Sequence, residues 1–523
     1  MARVLLIALS LLLAVAGDAR VVVVGVDGAS WSRIDPMLAA GELPALAALA
    51  ERGVTADLAT VEPVISPVVW TSIATGRSPD AHGITHFYAQ RTHIAVPTVW
   101  SRLAAAGLRV GVYDWLVGWP PAAYPGGFSI PGWLRLDESV HPPDVYARAG
   151  VAPYRYGMET TRTPEQFVDN CRRELAHKPD TFNALARAFD LDVGAVSFYS
   201  VDASSHRFWD DAFPEAFPSG VARPDPRHAG QIDDVYRGVD AGLATIAAAL
   251  GPADHLLLAS DHGFQADDEI GRRWEIDAAG WFERSGFDAA RDGIEVRGGF
   301  VFVVVRVLPG DFATREATLE RVTAQLGSAR TLGGEPLLEV NVLDVAERPP
   351  GHERSLLDRL RQWRVRAFLW WMGVTFDDPA HAYAFGRLRD DVLLPLWPEG
   401  EIRLGDETVP LAGFAYPHEF SGTHHPTAVF LAAGPAIARR PERTALSVLD
   451  VAPLLLYLAG QPVPDDLEGQ LRSDLLDPAW LAAHPVRRVP AEALPPLPEA
   501  PAAEEAADDA AILERLRSLG YAE

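Results

Sequence analysis

The chain has 523 residues, of which 48% are hydrophobic and 22% charged, a balance that excludes wholesale disorder, collagen-like structure and a multi-span membrane protein. At roughly 150 residues per domain the length allows three or four units, or one large α/β domain carrying insertions. The net charge is −25 and Lys178 is the only lysine, so no diffuse basic surface exists for a nucleic acid duplex, and a small anionic partner would need the local positive charge of a bound divalent metal.

Residues 1–19 have the layout of a secretory signal: Arg3, an apolar run from Val4 to Ala16, and two competing small-x-small sites, Ala14-Val15-Ala16 and Gly17-Asp18-Ala19. The run is too short for a comfortable membrane span, so the expectation is an exported protein, periplasmic or extracellular, with no transmembrane domain once the signal is removed. An uncleaved anchor would leave the remainder in the same compartment. Its oligomeric state is open.

After the signal, Val21 to Val26 form a continuous β-branched run, the pattern of a strand buried on both faces of a parallel sheet. It ends at Asp27-Gly28. Met37, Leu38, Leu43, Leu46 and Leu49 predict a helix near 36–52, closed at Gly53. Further strands are expected at 109–115, 195–201, 255–260, 299–307 and 428–433, with helical patterns between many of them. This alternation predicts an α/β layered domain, a mostly parallel central sheet with helices on both faces. Residues 308–420 are less regular and read as a ferredoxin-like or irregular insertion, with an aromatic cluster at Phe368-Leu369-Trp370-Trp371-Met372. The segment 20–483 is the expected catalytic domain, and 484–523 a Pro/Ala/Glu-rich linker ending in a short amphipathic helix at Ile512, Leu513, Leu516 and Leu519. Cys171 stands alone, so neither an internal disulfide nor a thiolate zinc cluster can form.

Three of the predicted strands run out on aspartate: Asp27, Asp202 and Asp261. Ligands of open α/β sheets bind at the carboxyl ends of strands, so these acids can converge on one crevice, and convergent acids demand cations. Asp202 precedes His206 by one helical turn, and Asp261 is followed directly by His262 and Gly263. Carboxylate and neutral imidazole are ligand types for zinc, and manganese suits the same set. In Ile65-Ser66-Pro67-Val68-Val69-Trp70-Thr71-Ser72-Ile73-Ala74-Thr75-Gly76, Ser66 has the character of an N-cap and Pro67 of N1, which places a hydroxyl at the positive end of a helix beside free amides. Metal coordination could activate that hydroxyl. Each of these features alone also has a structural reading, as a turn former, a helix cap or a packed core histidine.

Taken in order, GVDGAS at the first strand, ISPVVWTSIATGRSPDAHGI from 65 to 84, Asp202 with His206, SDHGF at 260–264 and GTHHP at 422–426 resemble the alkaline phosphatase superfamily, most closely its type I phosphodiesterase and nucleotide pyrophosphatase branch. The resemblance covers roughly 21–90, 190–265 and 415–475. It implies a three-layer alkaline phosphatase-like fold and a site with two divalent metal ions: one held by Asp202, His206 and His424, the other by Asp27, Asp261 and His262, with Ser66 bound to the second. It further implies that Ser66 is the nucleophile of an in-line displacement on a small phosphate ester, through a covalent phosphoryl-serine, between metals about 3.5–4 Å apart. The branch often has threonine where this chain has Ser66. It commonly has asparagine, touching a phosphate oxygen, where this chain has His86, which makes His86 a candidate substrate-binding residue. On the same resemblance His82 is a residue that packs or stands behind the ligands rather than a ligand, and His425 is assigned no role.

Rival readings are a phosphomonoesterase, a sulfatase-like hydrolase, and a non-catalytic member that binds a phosphorylated ligand. The sulfatase Cys/Ser-x-Pro-x-Arg motif is absent, since Ser66 is followed directly by Pro67 and no arginine stands in place. Related cytoplasmic mutases need no export signal, and envelope phosphoethanolamine transferases carry several membrane spans where this chain has a single apolar segment.

Overall fold

In the computed structural model, the first valine run forms β1 (Val21–Val26), every residue of which is buried. The structure describes residues 20–491 except 88, 136–137, 155–163, 218–221, 223, 268–273, 277, 299–301, 309–310, 345–381, 394–399, 412–413 and 418–420. The expected signal segment, the aromatic cluster at 368–372 and the tail beyond 491 lie outside the described residues. The described chain divides into two compact units, one comprising residues up to 218, 222–266 and 420 onward, the other 219–221 and 267–419.

The first unit is built on an eight-stranded sheet. Its strands are β1, β2 (Val54–Ala59), β3 (Val110–Trp115), β4 (Phe128–Pro131), β5 (Val193–Phe198), β6 (His255–Ala259), and two that follow a short ribbon of β7 (Gly263–Ala266) and β8 (Gly422–His425): β9 (Thr427–Ala433) and β10 (Thr444–Ser447). The order is β10-β2-β9-β6-β1-β5-β3-β4. Neighbours from β6 to β4 are parallel, as are β2 and β10, while β9 runs antiparallel to both β2 and β6. This reversed strand brings its amino end to the edge where its parallel neighbours have their carboxyl ends.

Helices cover both faces, as the side-chain alternation of the strands requires. Gly25 and Ser197 face α3 (Ser66–Thr75), where a Cβ on Gly25 would stand 2.8 Å from the Trp70 ring and 2.9 Å from Ser197 Oγ. On the opposite face, Gly194 meets Phe182 of α4 (Pro164–Ala188), and Phe198 packs beneath Gly242 of α6 (Gln231–Ala247). Between β5 and α6 lies α5 (Ser200–Ala212). Among the described residues no helix is long and apolar enough to cross a membrane.

Some local expectations are corrected. The helix expected at 36–52 is two, α1 (Trp31–Ala39) and α2 (Pro44–Arg52), because Pro44 lacks the N–H that a continuing helix needs and instead opens a new one. The strand expected at 195–201 ends at Phe198, and Ser200 and Val201 already belong to α5. The strand expected at 299–307 is present as Phe302–Val307, yet it belongs to the second unit, in an antiparallel sheet of order 338–344, 382–388, 302–307, 294–298. Helix Phe312–Gly327 contributes Val322 and Leu326 to that unit's core, with Trp281, Phe282, Val303 and Val305. In the first unit, Arg488–Val489 pairs with Val463–Pro464, so the opening of the Pro/Ala/Glu-rich stretch is docked.

The close approach of β1 to α3 gives a direct check on the packing. Gly25→Ala forces Trp70 to shift and is expected to destabilise the chain by about 1–3 kcal/mol, read as a lowered urea midpoint; an unchanged midpoint contradicts the β1–α3 contact.

Candidate active site

The carboxyl edge of the sheet collects the seven residues. Asp27 follows β1, Ser66 opens α3 after β2, Asp202 and His206 lie on α5 after β5, Asp261 and His262 follow β6, and His424 sits in β8 just before the reversed strand β9. Gly28 makes the first junction possible: its φ is +72° and a Cβ there would stand 2.9 Å from the Asp202 backbone. Its N–H donates to Asp261 Oδ1 at 3.2 Å, tying the ends of β1 and β6 together.

Two groups of ligand-type atoms result, Asp202 with His206 and His424, and Asp27 with Asp261 and His262, each with its atoms within 4.8 Å of one another. In the first, Asp202 Oδ1 lies 3.4 Å from His206 Nε2 and 3.6 Å from His424 Nε2. In the second, His262 Nε2 lies 3.4 Å from Asp27 Oδ1 and 3.3 Å from Asp261 Oδ2. Asp202 Oδ1 is also 3.7 Å from His262 Nε2, so it stands between the groups. Ser66 Oγ lies 3.3 Å from both Asp27 Oδ1 and His262 Nε2.

The three imidazoles share one orientation. His206 Nδ1 is 2.8 Å from the Gly422 carbonyl, His424 Nδ1 is 2.6 Å from that of Val64, and His262 Nδ1 is 3.1 Å from that of Gly263. A carbonyl oxygen only accepts, so each Nδ1 donates and each ring turns its Nε2 toward the carboxylates, with His206 Nε2 and His424 Nε2 2.9 Å apart. The rings of His262 and His424 stack with centroids 3.7 Å apart, and Phe264 stands edge-on to His206 at 4.8 Å.

Electrostatics set the same requirement. Burial, then the charges of Asp261 and Asp202, push the Asp27 carboxyl well above its ordinary range. Burial and the Asp202 charge push Asp261 up to about 7. His262 is held well below its usual value by burial and by the neighbouring His424 and His206 rings. Burial alone would depress His424 as well, but its hydrogen bond to Asp202 and the Asp202 charge outweigh that and raise it. Among the described residues, buried Asp261 Oδ2 has no hydrogen-bond donor. Inward imidazole lone pairs, crowded carboxylates and this undonated oxygen fit a pair of divalent cations.

Ser66 differs in detail from the sequence expectation. The cap is Ile65; Ser66 is the first helical residue and its side chain caps nothing. Pro67 has no N–H, and the amides of Val68 and Val69 both reach the Ile65 carbonyl. The helix end therefore offers fewer amides to an anion than the motif suggests, and the hydroxyl is left to face Asp27 and His262. Trp70, four residues on, donates its indole N–H to Asp27 Oδ2 at 3.3 Å. Nothing in the motif itself marks Trp70 as an Asp27 partner; its i+4 spacing from Ser66 is the available signal. His86 is exposed in the bend after the HGI motif, and His425 Nδ1 accepts the Thr427 N–H at 3.1 Å.

An α/β sheet with this carboxyl-edge set agrees with the alkaline phosphatase-like arrangement that the sequence resemblance implies. The chain belongs to the type I phosphodiesterase / nucleotide pyrophosphatase family, which it matches over residues 21–351. Similar solved structures include murine ectonucleotide pyrophosphatase / phosphodiesterase 5, at 16% identity over 88% of this chain and 100% of that chain with a TM-score of 0.40. Another is phosphonoacetate hydrolase from Sinorhizobium meliloti 1021 in complex with phosphonoformate, at 15% identity over 84% of this chain and 95% of that chain with a TM-score of 0.40. No curated protein matches the chain.

His82 is buried as a packing residue away from these groups, taking the Ile84 N–H on Nδ1 at 3.1 Å and meeting Ser72 Oγ through Nε2 at 2.9 Å. Burial pulls its pKa down to about 4. The folded chain thus binds this proton only at lower pH than the unfolded chain, whose imidazole titrates near 6.5, so the contribution is present above that value and lost as pH falls toward 4. His82→Gln is expected to lose about 3 kcal/mol less stability than wild type between pH 6.5 and 4, measured by urea unfolding across that range; parallel curves would contradict the buried neutral imidazole.

Proposed function

We propose that the chain is an exported, dinuclear-metal hydrolase of phosphate esters, acting on diesters or pyrophosphates through a phosphoryl-serine. The observation that carries this reading is two groups of carboxylates and inward imidazoles, with the Ser66 hydroxyl 3.3 Å from Asp27 and His262 of one of them. Asp202, His206 and His424 would hold one cation, and Asp27, Asp261 and His262 the other, with Ser66 as a further ligand of the second. Bound there, two divalent cations, zinc first and manganese as the alternative, supply the charge that lowers the Ser66 hydroxyl pKa and offsets charge developing on phosphorus.

The residues of the chain do the rest. Asp27 Oδ1 accepts the Ser66 hydroxyl and Trp70 fixes the other Asp27 oxygen, so Oγ is aimed into the crevice. The bond from Ser66 Oγ to phosphorus forms as the bond to the leaving oxygen breaks, and the leaving oxygen departs with the proton lost from the Ser66 hydroxyl; water then displaces Ser66 from phosphorus, its hydroxyl joining the phosphate product and its other proton restoring the Ser66 hydroxyl. His86 is positioned by sequence to donate to a phosphate oxygen. The catalytic region is proposed to span 20–483, after a signal at 1–19 and ahead of the tail at 484–523.

Parallel kinetics on p-nitrophenyl phosphate, bis-p-nitrophenyl phosphate and a thymidine monophosphate nitrophenyl ester, with metal analysis of the same sample, test the reading. The diesters are expected to turn over faster, and monoester preference would move the assignment to a phosphomonoesterase. Ser66→Ala is expected to lower kcat by a factor of about 10³ or more while keeping bound metal; full activity in that variant overturns the assigned nucleophile. Asp261→Asn is expected to lose metal instead, and two retained equivalents would show the ligand set to be wrong.

A further inference from the structure

Beside the site, three charged side chains are buried together at the carboxyl ends of β3 and β5. Lys178 of α4 is fully buried, with Nζ 2.9 Å from Asp114 Oδ2, in contact with Glu174 Oε1 and donating to the Ser197 carbonyl at 2.7 Å. The attraction of Asp114 and Glu174 outweighs burial and raises the Lys178 pKa, so the ammonium stays charged. The Glu174 carboxylate faces the first turn of α5. It accepts the Tyr199 N–H at 3.0 Å, the Ser200 N–H at 2.9 Å and the Ser200 hydroxyl. Tyr199, the residue before α5, makes no side-chain cap of its own; its hydroxyl reaches back to the Asp114 carbonyl.

Glu174 is therefore the cap of α5, supplied from another helix. It satisfies amides that would otherwise be orphaned in a buried place and sets a negative charge at the positive helix end. Ser200 stands two residues before Asp202 and six before His206 on the same helix. A buried ion pair of this kind is weak evidence for added stability, since well-packed apolar residues often do as well, whereas it does specify one arrangement.

We infer that Glu174, held by Lys178 and Asp114, is a positioning residue for the Asp202–His206–His424 group: it fixes the first turn of α5 and with it the directions of Asp202 and His206. This rests on the two-metal reading above. It predicts that loss of the Glu174 charge weakens one metal site selectively and leaves the Asp27–Asp261–His262 group intact.

The test is titration of Zn²⁺ into the chelator-stripped full chain, followed by calorimetry, alongside thermal unfolding of the same samples. Wild type is expected to bind two equivalents. Glu174→Gln is expected to keep one step at wild-type affinity and to weaken by about 10- to 100-fold the step that His424→Ala removes. Two unchanged steps with a lowered unfolding midpoint, or equal weakening of both, overturn the inference and leave the triad as scaffold. Ser200→Ala keeps the buried ion pairs and removes one donor to Glu174; it is expected to weaken the same step by a smaller factor, and an unchanged step overturns the inference even if Glu174→Gln cannot be purified. A wild-type chain that binds no zinc overturns the two-metal reading and this inference with it.

Discussion

Asp27, Asp202 and Asp261 are buried side by side where three strands end, and everything around them is arranged to make that tolerable. Two like charges 4 Å apart cost about 4 kcal/mol at an effective dielectric of 20, so a few such contacts equal the whole stability of an ordinary fold, about 5–15 kcal/mol. The buried cation beside them does not relieve the strain, because Lys178 is engaged by Asp114 and Glu174. What remains is uptake of protons, visible in the raised Asp27 and Asp261 carboxyls, or of external cations. The imidazoles favour cations, since carbonyl partners take their Nδ1 atoms and leave their Nε2 atoms facing inward.

The sheet delivers this crowding through simple means. Parallel neighbours end at the same edge, which accounts for Asp27, Asp202 and Asp261. β2 adds Ser66 through the loop to α3. The last ligand-type residue needs the exception to the parallel rule: because β9 runs antiparallel to β6, its amino end reaches the carboxyl edge, and His424 arrives just ahead of it. The β7–β8 ribbon, pairing His424 with Phe264, then holds that approach in register.

Much of this was legible in the residues themselves. The valine run of β1 and the acids at strand ends announced a parallel sheet and a cation-seeking crevice, and the GTHH segment was placed by resemblance. What stayed hidden depends on packing. The Trp70 hydrogen bond to Asp27 reads in sequence as one more apolar position of α3. The break between α1 and α2 was masked by an apolar stripe that continues across Pro44. Strand 302–307 is nearly as β-branched as β1, and composition alone does not reveal that its partners lie in another sheet. Glu174 carries no sequence signal because the amides it serves are 25 and 26 residues away.

The reversed strand carries a consequence for the order in which the molecule becomes complete. His424 lies 397 positions after Asp27 (424 minus 27), so a chain emerging from its amino end can form the parallel core long before the Asp202 group has its third member. One group can assemble early while its neighbour waits for β9 to thread between β2 and β6. On the two-metal reading, cation capture would act as a latch on finished topology, and a partly made chain would lack the paired centre.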